Sequence, residues 1–254
     1  MRRSASRPVG LARALSKLGY CSRSQAVELI RKGRVELNER ICRDIEAPVR
    51  LEHDRIALDG TPIAVSKKIY LMLNKPRGIV TTASDERGRD TVYCLLDPQL
   101  PWIAPVGRLD KASEGLLLLT NDSEWAARIA DPATHLEKIY HVQIDRLADA
   151  RLLRALSHGI KTAEGDRLRA QSAHLLRAGE KNCWLEIVLD EGRNRHIRRM
   201  LGALNVEVLR LVRVAIGPLA LDDLAKGAVR PLTKEEKKSL DAAMAPRTKT
   251  RSLA

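Results

Sequence analysis

The hydrophobic pattern of the N-terminal part of the chain predicts two short helices and then a hairpin. Apolar residues recur at helical spacing over residues 11–18, which predicts the first helix. Ser22 is followed three residues later by Gln25, the spacing of a capping box, and this pair predicts where a second helix begins. Residues 35–41 alternate around Asn38-Glu39, so we expect a short hairpin there.

Apolar and alternating runs in the rest of the chain predict the strands of a larger domain, with helices between them. The predicted strands cover residues 69–73, 116–119, 137–144, 170–177, 183–189 and 206–214. The predicted helices follow Asp122-Ser123, span residues 147–159 and cover residues 235–244. In the last predicted strand, Arg210 and Arg213 are expected to be exposed.

The charge balance indicates a polyanionic partner. The 254 residues include 45 basic and 32 acidic ones, which gives a net charge of +13 and a pI near 9.9. A balance this basic favours nucleic acid first and an anionic membrane surface second. No apolar stretch approaches the ~20 residues that span a bilayer, and the N-terminus lacks the apolar segment of a secretory signal. We therefore expect a cytoplasmic protein that does not span a membrane.

Metal and cofactor signatures are missing from the sequence. The four cysteines, Cys21, Cys42, Cys94 and Cys183, are scattered and form no Cys-x-x-Cys pair. This spacing argues against a zinc site, and a cytosolic chain argues against disulfides. Neither a phosphate-binding loop nor a dinucleotide fingerprint occurs. We expect no cofactor and no metal.

The stretch Val106–Asp122 is the strongest candidate for chemistry. It places one acid, Asp110, between Arg108 and Lys111, and the apolar run 116–119 that follows reads as a buried strand. Neighbouring cations favour an ionised carboxylate, and an ionised carboxylate can act as a nucleophile. The residues alone leave two interpretations open, a surface ion pair or a reactive acid.

The whole string Gly-Arg-Leu-Asp-Lys-Ala-Ser-Glu-Gly-Leu-Leu-Leu-Leu-Thr-Asn within Val106–Asp122 resembles the catalytic motif of pseudouridine synthases of the RsuA type. The resemblance assigns the nucleophile to Asp110. Lys-x-Tyr-x-Val at 138–142 resembles the second family motif and places Tyr140 in the pocket against the target base. Asn74-Lys-Pro-Arg-Gly resembles the family's opening motif, which is structural there, so the resemblance gives Lys75 no chemistry.

A third motif contains four arginines within residues 193–199. Gly-Arg-Asn-Arg-His-Ile-Arg-Arg resembles the family pattern whose arginine pairs with the nucleophile, and residue-by-residue matching places that role on Arg198. His196 stands where the family usually has Gln. At helical spacing Arg195 and Arg199 share a face. Those two, together with Arg193, are expected to bind the RNA backbone, as are Arg108 and Lys111 of the first motif.

The N-terminal helices and hairpin resemble an S4 RNA-binding module over about residues 9–55. One departure is Glu39, where that family often has Gly. The basic residues expected to bind RNA are Arg13, Lys17, Arg23, Arg31, Lys32 and Arg34. The alternative is a helical cap on the next domain.

The resemblance covers about residues 9–240 and implies an α+β fold. We expect a disordered basic arm (1–8), the S4 domain with a linker (9–66), a catalytic domain built on a mixed, antiparallel-rich sheet with flanking helices (67–240), and a disordered basic tail (241–254). A monomer is expected.

The implied function is isomerisation of a specific uridine to pseudouridine in ribosomal RNA, with large-subunit (23S) RNA preferred. Asp110 attacks either the sugar or the base, and the sequence leaves both open. The leading alternatives are a small-subunit (16S) target and a catalytically silent RNA-binding assembly factor. A nucleobase-excising hydrolase would need a second acid to activate water, and the resemblance gives the nearby Glu114 no such role.

Overall fold

The structure, a computed structural model, describes residues 7–64, 66–83, 85 and 87–245. Most of the predicted arm (1–6) and of the predicted tail (246–254) lies outside these residues. The chain divides into two compact units. The first comprises residues 1–70, 97–104 and 119–124, and the second comprises residues 71–96, 105–118 and 125–254.

The first unit consists of two helices and six short strands. Their order is β1 (Val9–Gly10), α1 (Leu11–Lys17), α2 (Arg23–Arg31), β2 (Val35–Leu37), β3 (Arg40–Ile41), β4 (Pro48–Val49), β5 (Ile56–Leu58) and β6 (Thr61–Pro62). Four of the strands form an antiparallel sheet in the order β3-β2-β5-β6, and β1 pairs with β4. The buried faces of α1 and α2 share one core with Val35, Val49 and Ile56.

Local sequence signals explain how these elements begin and turn. The predicted capping box is confirmed, because the Ser22 side chain accepts from the Gln25 backbone and the Gln25 side chain accepts from the Ser22 backbone. Both residues of the hairpin turn are left-handed, Asn38 at φ 51° and Glu39 at φ 66°. Two successive positive φ values define the turn that matches the twist of a two-residue hairpin. Glu39 therefore adopts the conformation for which glycine is the usual residue.

The remaining elements lie wholly or mostly in the second unit. They are β7 (Tyr70–Lys75), β8 (Ala104–Val106), β9 (Glu114–Thr120), α3 (Ser123–Ala130), β10 (Lys138–Ile144), α4 (Ala150–His158), β11 (Ile160–Lys161), β12 (Arg167–Leu168), β13 (Ser172–Ala178), β14 (Cys183–Leu189), α5 (His196–Gly202), β15 (Val208–Ile216), β16 (Leu219–Ala220), β17 (Val229–Pro231) and α6 (Lys234–Ala243). Short 3-10 turns cover Val92–Leu95 and Pro132–Thr134.

A nine-stranded sheet organises this unit. Its main path runs β13-β14-β10-β15-β9-β7-β17, with β16 added to β15 and β8 to β9. The pairs on one side are antiparallel from β13 to β15, whereas β15 and β9 are parallel. The expected α+β fold with a mixed, antiparallel-rich sheet is confirmed.

One row of residues crosses three strands at the junction between the antiparallel and parallel parts. Gly115 of β9 pairs with Arg213 of β15, and Arg213 pairs with Tyr140 of β10. Paired residues project from the same face of a sheet. Tyr140 and Arg213 therefore lie side by side on one face, next to the strand that follows the Asp110 loop.

Two expectations about this unit are wrong. The alternating pattern predicts an exposed Arg213, but only 6% of it is accessible. It lies three positions after Arg210, and an odd spacing along a strand directs two side chains to opposite faces. The tail predicted from residue 241 is helical as far as Ala243, because α6 continues that far and Met244 is buried.

The close contact at Gly115 yields a prediction. A β-carbon there would lie 2.2 Å from the Arg213 carbonyl oxygen, and φ is +101°. We expect Gly115→Ala to lower the free energy of unfolding by roughly 3 kcal/mol or more, through overpacking against backbone and a disfavoured φ. Urea denaturation measures the change.

Gly78→Ala is the matched control. Its φ of +102° is nearly the same, but nothing lies within 4 Å of the place that a β-carbon would take at that position. It carries only the conformational cost of about 1–2 kcal/mol. Equal losses in the two variants would show that the contact with Arg213 does not constrain the sheet.

Candidate functional site

The loop that carries Asp110 links β8 to β9 and is held by side-chain donors. Thr81 Oγ1 donates to the Leu109 carbonyl at 2.8 Å. Lys75 Nζ donates to the carbonyls of Asp110 and Ser113 at 3.1 and 2.9 Å. These bonds satisfy backbone acceptors that no strand partner reaches, so they fix the loop in place.

Lys75 is the central anchor of this loop. It is fully buried, and its ammonium also donates to the carbonyl of Pro76 at 3.1 Å. Burial lowers the pKa of Lys75 to about 8, and the negative charges of Asp110 and Glu114 oppose that shift. The lysine of the opening motif is thus one of the groups that position the candidate nucleophile, a contribution that pattern reading alone did not reveal.

The carboxylate of Asp110 is partly exposed and pairs with Arg195. Oδ2 lies 3.4 Å from Arg195 Nη1, and 34% of the Asp110 side chain is accessible. Asp110, Tyr140 and Arg195 all line one cavity of about 160 Å³.

The expected ion pair between Arg198 and Asp110 is replaced by a different arrangement. Arg198 donates to the carbonyls of Ala112 and Val208, at 3.1 and 3.2 Å. Burial is the largest cause that lowers the pKa of Arg198, the Arg195 cation adds to it, and Asp110 opposes it. Arg198 thus acts on the backbone of the Asp110 loop, while Arg195 contacts the carboxylate.

The start of helix α5 is related to why Arg195, and not Arg198, contacts the Asp110 carboxylate. Helix α5 begins at His196, and Arg195 precedes it in a left-handed conformation with φ 49°. Arg195 therefore does not share a helix face with Arg199, contrary to expectation. Arg199 instead forms ion pairs with Glu164 and Asp166, and the distance from its Nη2 to Glu164 Oε2 is 3.2 Å.

The other residues expected to bind RNA differ in whether a carboxylate already pairs with them. Arg108 and Lys111 are exposed beside Asp110. Arg193 is exposed but pairs with Glu191 at 3.0 Å. Exposed cations can reach phosphates, whereas a cation held by carboxylates must first give up those partners.

The first unit shows the same distinction among its six expected RNA-binding residues. Lys17 donates to Glu124 at 2.6 Å, and Arg34 forms a forked pair with Asp59 whose Nε–Oδ2 distance is 3.0 Å. The remaining four are exposed; these are Arg13, Arg23, Arg31 and Lys32.

The cavity has a shape and chemistry suited to one flat polar ring. A cavity of about 150 Å³ accepts a single benzene ring, close to the volume found here. Tyr140 supplies an aromatic wall, and buried Lys138 and Arg213 also line the cavity. Sequence reading missed both cations, although Lys138 lies two residues from Tyr140 and hence on the same strand face.

Two features bear on ligands and membranes. Within the described ranges, no group of three or more metal-binding side chains is close enough to hold an ion. No helix among these residues is both long and apolar enough to cross a bilayer.

Comparison with known proteins gives matches over both units. The sequence profile described as RNA pseudouridylate synthase matches residues 69–203, and the S4 domain profile matches residues 9–63. An uncharacterized RNA pseudouridine synthase of Aquifex aeolicus is 37% identical over 229 residues, covering 90% of this chain and 92% of that protein. Ribosomal large subunit pseudouridine synthase B of Bacillus subtilis is 34% identical, covering 91% and 95%.

A solved structure is also similar. A crystal structure of a pseudouridylate synthase matches with a TM-score of 0.65 and 31% identity, and the match covers 91% of this chain and 99% of that one. Similarity therefore extends across both domains.

The Lys75 anchor can be tested through stability. Lys75→Met leaves three carbonyls without this donor, and we expect the free energy of unfolding to fall by about 2–4 kcal/mol. Urea denaturation measures the change. Exposed Lys181→Met serves as the control and should stay within about 0.5 kcal/mol of wild type. Equal effects in the two variants would contradict the anchoring role.

Proposed function

The chain belongs to the RNA pseudouridine synthase family, with an S4 domain before the catalytic domain, and from that premise we propose that it isomerises a uridine of large-subunit ribosomal RNA with Asp110 as the nucleophile. The observation that carries the site assignment is the single cavity lined by Asp110, Arg195 and Tyr140. The name of the Bacillus subtilis relative supports a large-subunit target.

The reaction requires that the uridine leave its stack. A base inside folded RNA is out of reach of a side chain, so the nucleotide is flipped into a pocket. The cavity holds one six-membered ring, and Tyr140 offers it an aromatic face. Arg108, which lines the cavity, and Lys111, which is exposed next to Asp110 in the chain, bind phosphates of the flipped strand.

Asp110 then attacks the sugar or the base while Arg195 pairs with its carboxylate and holds it in place. The glycosidic bond breaks, the base rotates, and a new bond joins carbon 5 to the sugar. Tyr140 packs on the base and assists proton transfer late in the reaction. Arg198 positions Asp110 through the Ala112 carbonyl.

Asp110→Asn should remove the modification. The amide keeps the shape of the side chain but is a poor nucleophile, so we expect a loss on the order of 10⁴-fold or more. The measurement maps pseudouridines in the ribosomal RNA of cells that lack the protein and are complemented with each variant. Exposed Asp223→Asn is the control and should restore the modification.

The map separates the parts of this proposal. A site that returns only with wild type and Asp223→Asn identifies the target uridine. A target in the small subunit would contradict the substrate assignment and leave the nucleophile assignment intact. Recovery of the modification by Asp110→Asn would contradict the nucleophile assignment itself.

The S4 domain should contribute salt-dependent affinity through its exposed cations. The slope of the logarithm of the RNA-binding constant against the logarithm of the salt concentration changes by about 0.7 for each phosphate contact. Replacing Arg23, Arg31 and Lys32 with Gln should therefore make this slope shallower by roughly 2. Binding of the full chain to ribosomal RNA over a range of KCl concentrations measures this.

Arg34→Gln provides a contrast within the same domain. Asp59 already neutralises Arg34, so this variant should change the slope much less than the triple variant does. An unchanged slope in the triple variant would show that these cations do not bind RNA phosphates.

A further inference from the structure

Two cations are buried on the cavity side of the sheet. Lys138 is 9% exposed and Arg213 6% exposed, and both line the cavity with Asp110 and Tyr140. Buried cations are costly unless a partner compensates them. Burial, with the Arg213 cation adding to it, lowers the pKa of Lys138 to about 8, and Asp190 opposes the shift. Lys138 thus stays mostly protonated near neutral pH.

Arg213 has a guanidinium that is fixed at one nitrogen and unpartnered at another. Its Nε donates to the Leu116 carbonyl at 2.7 Å, which orients the group. Its Nη2 is buried and has no hydrogen-bond partner among the described residues. A buried charged donor without a partner has lost the hydrogen bonds that water gave it in the unfolded chain, at a cost in free energy. An acceptor supplied by a ligand in the cavity would recover that loss.

A second unpartnered group lines the same cavity. Ser113 Oγ, in the loop that carries Asp110, is buried and lacks a hydrogen-bond partner within the described part of the chain. Ser113 and Arg213 come from different elements and both line the cavity, so their unsatisfied polar groups indicate that a polar ligand completes this part of its wall.

The reaction produces a charge that this site can stabilise. When the bond between C1′ of the sugar and N1 of the base breaks, the electron pair stays on the base and spreads to its carbonyl oxygens. If Asp110 instead adds to the base first, the negative charge also reaches a carbonyl oxygen. In either order, charge develops on the ring oxygens.

We propose that Arg213, with Lys138 beside it, binds a carbonyl oxygen of the target uracil and stabilises the negative charge that develops on the base. This inference rests on the proposed placement of the uridine in the cavity. Fixed donors aimed at developing charge are among the largest contributions to enzymatic rate. Arg213 is thereby a catalytic residue in addition to Asp110 and Tyr140.

The bonds and protons of the reaction balance without a further reactant. The C1′–N1 bond breaks and a C1′–C5 bond forms. The proton that leaves C5 is matched by the proton that N1 gains, so the base is neutral again at the end. Arg213 and Lys138 keep their protons throughout and act only through charge and hydrogen bonding.

The test compares Arg213→Met, Arg213→Lys and Lys138→Met with wild type. The substrate is total RNA from cells lacking the protein, which contains the natural target whichever RNA carries it. We expect Arg213→Met to lower the single-turnover rate by about 10²–10³-fold while the Kd for RNA changes little. Arg213→Lys should recover part of the rate, because it restores the positive charge but cannot donate both to the Leu116 carbonyl and to the base in the way the guanidinium does. Lys138→Met should reduce the rate less than Arg213→Met does.

Arg177→Met is the matched control, since it removes an exposed arginine from β13 of the same sheet. Thermal unfolding checks that each variant is folded. A wild-type rate in folded Arg213→Met overturns the proposal. A weaker Kd with an unchanged rate also overturns it, because Arg213 would then bind RNA without acting on the charge.

A base analogue separates charge stabilisation from a structural role. In a short RNA carrying the mapped site, 5-fluorouridine replaces the target, and the fluorine stabilises the anion of the base. The rate is measured as consumption of the target nucleoside. The fall in rate that Arg213→Met causes relative to wild type should then be several-fold smaller than with uridine. A misplaced strand would slow both substrates equally, so equal losses would overturn the proposal.

Discussion

The active site depends on backbone carbonyls that are satisfied by side chains instead of by a strand partner. The loop between β8 and β9 presents the carbonyls of Leu109, Asp110, Ala112 and Ser113, and donors from three different elements reach them. A loop whose acceptors are held at successive residues has little freedom to move its side chains. The position of Asp110, the candidate nucleophile, is therefore set by groups that need not contact the substrate.

Local signals in the sequence are sufficient for much of the fold. The capping box at Ser22 and the alternation of β10 and β14 each depend on neighbours within a few residues, and the structure contains both. The leucine run before Thr120 is fully buried, as a bounded apolar stretch predicts. The family resemblance supplies what periodicity does not, namely the mixed, antiparallel-rich sheet and the expected roles of the motifs.

Two features of the candidate site, the residue that contacts Asp110 and the burial of Arg213, could not be predicted from the sequence. They depend on a single backbone angle and on pairing between distant strands. The spacing of the arginine cluster places Arg195 and Arg199 on one helix face, but Arg195 is left-handed and helix α5 begins after it, at His196. The contact to Asp110 therefore comes from Arg195 and not from Arg198. The prediction for Arg213 is wrong because its environment is created by Leu116, which is distant in the chain. Such relations follow from strand register, which composition does not encode.

The pairing of β7 with β17 has a consequence for how the enzyme is made. Strand β7 carries Lys75 and leaves the ribosome early, whereas its antiparallel partner, Val229–Pro231, is synthesised much later. The indole of Trp125 likewise donates to Asp241 at 2.9 Å. Until these late residues emerge, β7 has an open edge, the kind of surface that invites aberrant pairing in nascent chains. A polypeptide that stops before Val229 would therefore contain all three sequence motifs but lack the strand that covers this edge of β7.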